Sequence, residues 1–200
     1  MRNRTLDLRQ LWGYGWCITL APRSPQSALR TMGVQEIEPL PADLASAFAG
    51  RDPRNGPPVL LAAAPVDDVW SIIAECEAST GWVGMHSDVL SSLASPGRLA
   101  CTAFSDPNQL QVKFCEDASQ PCGIEPRTNR RWGPYSQRAI ESLRLVGFPD
   151  GYATEEEPVP EPDREAVGAL LVMRAITGIQ LRHEHLTGRW IGGLSSKTAP

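Results

Sequence analysis

Apolar and polar positions along the chain follow two rhythms, one of period two and one of period 3.6. Trp16 to Leu20 is a short apolar run containing β-branched Ile18 and Thr19, and Pro22 and Pro25 follow it. This predicts a buried strand and then a break. Ser24 stands where an N-cap belongs and Pro25 at the first helical position; Pro25, Ala28, Leu29 and Met32 then repeat at helical spacing. Gly33 ends the run by taking the left-handed conformation, with Val34 packing back on the last turn. The same punctuation returns twice. Gly133-Pro134 opens a segment with Tyr135, Ala139, Ile140, Leu143 and Val146 on one face, closed by Gly147-Phe148-Pro149. Pro162 with Asp163 and Glu165 opens another, whose Val167, Leu170, Leu171 and Ala175 face inward until Gly178-Ile179.

Strand signals lie between these helices. Leu110, Val112 and Phe114 alternate with Gln109, Gln111, Lys113 and Cys115, the pattern of a strand with one wet face. Arg98 to Phe104 precedes it, and Ser105-Asp106-Pro107-Asn108 joins the two as a β-hairpin. Val59 to Ala63 reads as a buried strand, and Ser87 caps a short helix carrying Val89, Leu90 and Leu93 that Ser95-Pro96-Gly97 breaks. Residues 66–77 fit both periods. Val66, Val69, Trp70, Ile73 and Ala74 sit at helical spacing, whereas Trp70, Ile72, Ala74 and Cys76 line one side of a strand. β-Branched and aromatic content favours the strand. Residues 35–58, with room for a short helix around Asp43 to Ala49, and residues 150–161, with Glu155-Glu156-Glu157, read as exposed loops.

These elements predict a single α+β domain over residues 1–200: a largely antiparallel or mixed sheet of about five to seven strands, packed by three main helices and one or two short ones. A chain of 200 residues is large enough for one core burying roughly 70% of the unfolded surface. The formal net charge of -4 supplies no overall attraction for nucleic acid or anionic lipid. Charged residues interrupt every apolar run of MRNRTLDLRQLWGYGW, and no stretch reaches the ~20 apolar residues that cross a bilayer, so a cytoplasmic, membrane-free protein is expected. Five cysteines without a C-x-x-C pair suit reduced core thiols.

Candidate chemistry is sparse. The turn between the first strand and helix holds two prolines where a phosphate-binding loop needs glycine N–H donors, so that unit is scaffold. Glu75 and Glu77 alternate at a strand end near Trp82, His86 and Asp88, a grouping capable of acid-base work if folding buries it; surface charges at a strand end are the commoner case. Arg127, Arg130 and Arg131 precede Trp132 directly before a helix start, a guanidinium and indole set suited to an anion or acidic partner. His183 and His185 would share a face on a strand and lack a third ligand nearby; His86 or Asp88 could supply one after folding, but a solvated polar edge is the commoner case, and no metal or cofactor is expected. Trp16 and Trp70 are expected in the core, Trp132 and Trp190 in polar surroundings facing a partner. No nucleophile elbow, H-E-x-x-H, P-loop or dinucleotide fingerprint is present.

The segments WCITL, SPQSALRTMG, VWSIIAECEASTGWVG, SDVLSSLASPG, RLACTAF, RRWGPYSQRAIESLRLVGF and AITGIQL, in that order, resemble an uncharacterised family of small actinobacterial proteins, a domain of unknown function. The likeness runs from about Trp16 to Leu194 and implies that the Trp-led segment, Trp70 to Glu77, is a strand. It implies no catalytic or binding residue. The expected function is therefore non-enzymatic recognition of another protein, as an immunity, accessory or regulatory protein. The rival is a small-molecule binder or biosynthetic enzyme whose site Glu75, Glu77, His86 and the arginines assemble.

Overall fold

The structure, a computed structural model, describes residues 8, 15–48, 58–76, 82–94, 96–117, 119–148 and 165–197. Nine strands form one sheet: β1 (Trp16–Ala21), β2 (Glu38–Pro39), β3 (Val59–Pro65), β4 (Ser71–Cys76), β5 (Leu99–Ser105), β6 (Leu110–Glu116), β7 (Cys122–Glu125), β8 (Arg130–Trp132) and β9 (Ile191–Ser195). Their spatial order is β2-β9-β3-β4-β1-β5-β6-β7-β8, and every pairing is antiparallel. The expected five to seven strands were too few. Those the pattern missed are short or glycine-bearing: two residues in β2, four with Gly123 among them in β7, three in β8, and Gly192-Gly193 inside β9. None is long enough in side chains to show alternation.

Because β1 lies mid-sheet with helices above and below, it is buried along its whole length, and its sequence WCITLA carries no charge. On one face lie α1 (Pro25–Thr31) and α3 (Ser87–Leu93); Leu29, Met32, Val89, Leu90 and Leu93 pack there with Leu61, Ala63, Ile73 and Ala100. The other face holds α2 (Leu44–Phe48), α4 (Gln137–Leu145), α5 (Glu165–Thr177) and α6 (His183–Leu186). Its core joins Ile18, Leu20, Ile72, Val112 and Phe114 to Leu143, Val172, Met173 and Ile176. The buried face of α5 is thus 169, 172, 173 and 176; of the residues expected inside, Leu170 packs partly buried against this core, while Leu171 is 37% exposed.

The helix stops fall where expected: Gly33, Gly147 and Gly178 have φ of 89°, 94° and 77°. At Gly33 the close of α1 is tight, since a Cβ would stand 2.8 Å from Lys197 Cγ. The starts are less faithful. Ser24 caps α1 as expected, but α4 begins at Gln137 behind Ser136, whose hydroxyl accepts from Ala139 N at 3.1 Å, so Gly133-Pro134 lies in the preceding loop. Ser87 is the first residue of α3 and His86 its N-cap. The 66–77 ambiguity resolves to strand β4, and the Asp43–Ala49 expectation to α2. Trp16 is buried, but Trp70 is only half-buried, and Trp190 is 1% exposed beneath the helices rather than turned to a partner. The expected 150–161 loop lies outside the described residues, as does most of the second half of 35–58. Among the described residues no helix is long and apolar enough to cross a membrane.

Candidate functional site

Strand register builds a polar floor on the α1/α3 face. Cys17 of β1 stands opposite Glu75 of β4, Thr19 opposite Thr102 of β5, and Thr102 opposite Lys113 of β6, so alternation turns all five side chains the same way. A one-turn 3₁₀ helix, Val83–Met85, covers them. Glu75 is wholly buried, and its two carboxylate oxygens accept from Val83 N and Gly84 N, each at 2.8 Å. Thr19 donates to Thr102 Oγ1 at 3.0 Å, and Cys17 Sγ lies 3.4 Å from the same oxygen. Lys113 Nζ donates to Met85 O at 3.0 Å. The turn fits only because residue 84 lacks a side chain: a Cβ there would overlap Thr19 Oγ1 and lie 3.0 Å from both Glu75 Oε1 and Thr102 Oγ1. Trp82 closes the edge against Phe104, ring centroids 6.4 Å apart.

Burial sets the electrostatics. It pushes the Glu75 carboxyl up from 4.5 to about 7, although Gly84 N–H, Val83 N–H and the Cys17 thiol favour its ionised form. Burial, and next the Glu75 charge, hold the Cys17 thiol well above its ordinary value. A protonated thiol is a poor nucleophile, so Cys17 serves here as a small donor rather than a reactive group. Lys113 is depressed by burial, and so is His86, whose Nε2 is buried without a hydrogen-bond partner. Of the expected pair, Glu75 is no surface charge at a strand end. Glu77 lies outside the described residues.

The arginine cluster is elsewhere and divided. β7 and β8 form a hairpin, so RTNRRW is a turn and a strand, and α4 starts only at Gln137. Arg130 and Trp132 share one face and Arg131 turns to the other. Arg131 bonds Asn129 Oδ1 at 3.2 Å and Phe148 O at 3.0 Å and lies 5.7 Å over the Tyr135 ring. Trp132 lies so close on Gly123 that a Cβ there would overlap its indole. Five strand spacings separate Trp132 from Glu75, roughly 24 Å. Glu75, His86 and the arginines therefore share no cavity.

His183 and His185 fall on α6, not on a strand, and His185 Nδ1 accepts from Arg182 N at 3.1 Å. Residues two apart on a helix point in different directions, which removes the chelating pair. Among the described residues no group of three or more His, Cys, Asp or Glu is placed to hold a metal.

A pocket of about 340 Å³ opens at the end of the sheet where the β3–β4 turn, the start of β5, the first turn of α4 and the end of α5 meet. Asp67, Val69, Trp70, Arg98, Arg138 and Thr177 line it. Asp67 Oδ1 is committed to its own turn, accepting from Val69 N at 2.8 Å and Trp70 N at 2.7 Å. Arg98 and Arg138 are exposed and form no ion pair or hydrogen bond among the described residues. Sequence reasoning missed them because four separate segments build the pocket. For the polar floor a signal did exist: Thr19 and Thr102 are hydroxyls inside otherwise apolar runs.

Compared with protein-family profiles, curated proteins and solved structures, the chain matches none.

Proposed function

We propose that the protein is a non-enzymatic recognition module, an immunity, accessory or regulatory protein of the actinobacterial family its sequence resembles, acting in the cytoplasm. Its partner presents an acidic side chain flanked by an apolar one. The observation that carries this reading is the pocket holding Arg98 and Arg138 without internal partners, walled by the half-buried Trp70 indole and Val69, 38% exposed. Guanidinium forks match carboxylates, and an indole beside them supplies the kind of anchor that dominates interfaces. The net charge of -4 favours a pocket reading over nucleic-acid attraction, since positive charge is concentrated locally.

Titration calorimetry with short Asp/Glu peptides carrying one Leu or Phe tests it. The acidic peptide is expected to bind, a Lys-bearing peptide of the same length not to, and the Arg98→Glu/Arg138→Glu protein to lose binding with unchanged circular dichroism. Equal binding by that double variant, or none by the wild type, would overturn the assignment.

A further inference from the structure

The Glu75 centre takes no part in that recognition reading, and its geometry carries a separate one. Glu75 is sealed at 0% exposure, and among the described residues a short turn closes over it, with Trp82 and Val83 8% and 1% exposed. Few bonds hold that turn down. Among the described residues they are the two amides given to Glu75, Lys113 Nζ on Met85 O, and the turn's own Met85 N to Trp82 O and His86 N to Val83 O bonds, 3.0 and 3.2 Å. Among the described residues the Glu75 carboxyl has no hydrogen-bonded cation. Its partners are the two amides and the Cys17 thiol, while the Lys113 ammonium is spent on Met85 O. A dry carboxylate is costly, and the neutral acid escapes that cost, although it accepts the two amides and the Cys17 thiol less strongly than the ionised form does.

We propose that the Trp82–Met85 turn is a proton-controlled cover, shut over neutral Glu75 and loosened when Glu75 releases its proton to water. Opening hydrates the carboxylate and uncovers Cys17, Thr19, Thr102 and the Trp82 edge. The direction follows from linkage. The closed form holds its proton up to about pH 7, an open, hydrated Glu75 only to about 4.5, so opening grows as pH rises between these values and levels off above. The other titratable groups around the turn cannot mimic this. His86, flanked by Asp88 and Lys197, is held below its ordinary value, so its protonation would favour opening at low pH, the opposite sign. Cys17 is raised, and so titrates above the window; Lys113, depressed from 10.5 by burial, faces Cys17 from β6 and, like His86, would favour opening when protonated, again the opposite sign.

Amide hydrogen exchange of the full chain, corrected for intrinsic rates, reads the cover directly. Protection at Val83 and Gly84 is expected to lie below that at Ile18 and Val112 at every pH, to depend little on urea, and to fall more than about tenfold from pH 5 to pH 7. In Glu75→Gln the fall should vanish. Protection at Val83 and Gly84 that is independent of pH, that rises with pH, or that equals Ile18 and shares its full urea dependence would overturn the proposal, as would a fall with rising pH that survives in the variant. Should Glu75→Gln fail to fold, the wild-type pH and urea series decides alone.

Discussion

Glu75 shows how far a single side chain departs from what its neighbours in sequence suggest. Alternation with Glu77 reads as a wet strand face, yet the opposite partner across the sheet is Cys17 and the lid returns from residues 83 and 84. Neither fact is visible in local periodicity, because register and turn return are long-range. The energetic consequence is measurable. A carboxyl held at about 7 in the fold and 4.5 unfolded keeps its stabilising contribution below pH 4.5 and loses it as pH rises to about 7, about 3 kcal/mol in all. Urea unfolding at pH 5 and pH 8 should therefore show Glu75→Gln gaining about 3 kcal/mol on the wild type across that interval. His86 contributes with the opposite sign to both proteins, so the difference isolates Glu75. Gly84 gives a second test. Gly84→Ala drives a Cβ into Thr19 Oγ1 and should cost about 1–3 kcal/mol, and adding Thr19→Ala should recover part of the loss. Purely additive losses would mean that the two residues do not meet.

Elements were legible where punctuation and period agreed. Gly33, Gly147 and Gly178 close helices with positive φ, as the Gly-apolar pairs imply, and the β5–β6 hairpin turns on Asp106, whose carboxylate accepts from Asn108 N and Gln109 N. Legibility failed in three ways. Proline was overread as a helix start at Pro134, where the cap is Ser136. Short strands without alternation were invisible, so Arg130 to Trp132 looked like a prelude to a helix. The α5 face was misplaced for a third reason: the helix is apolar on several sides, and only the position of the sheet selects 169, 172, 173 and 176. The corrected start of α4 makes a prediction. Ser136→Ala removes an acceptor for Ala139 N and should lower stability by about 1 kcal/mol, whereas Pro134→Ala should change it by less than half of that. Thermal or urea unfolding of the two variants separates the alternatives, and a larger loss at Pro134 would return the helix start to the proline.

The antiparallel sheet, covered by helices on both faces, leaves its strand-end loops to meet at a rim, and that is where Arg98 and Arg138 come together from segments far apart in the chain. The molecule as a whole carries -4, so its long-range field opposes an acidic partner and attraction acts only within about a Debye length, ~10 Å at 0.1 M salt, of the arginine pair. Two contributions then separate. If the pocket works by charge alone, Arg98→Lys/Arg138→Lys should bind the acidic peptide as the wild type does. If the planar forks seat the carboxylate against Trp70, charge without the fork is insufficient: the lysine pair should bind about tenfold more weakly, and Arg98→Gln/Arg138→Gln weaker still. Calorimetry of the three proteins at 50 and 300 mM salt distinguishes the cases, because salt weakens the wild type and lysine pair alike but leaves the ratio between them, set by geometry, nearly constant. A ratio near one at both salts would leave the pocket as a local positive field, without the bidentate recognition proposed for its two arginines and indole.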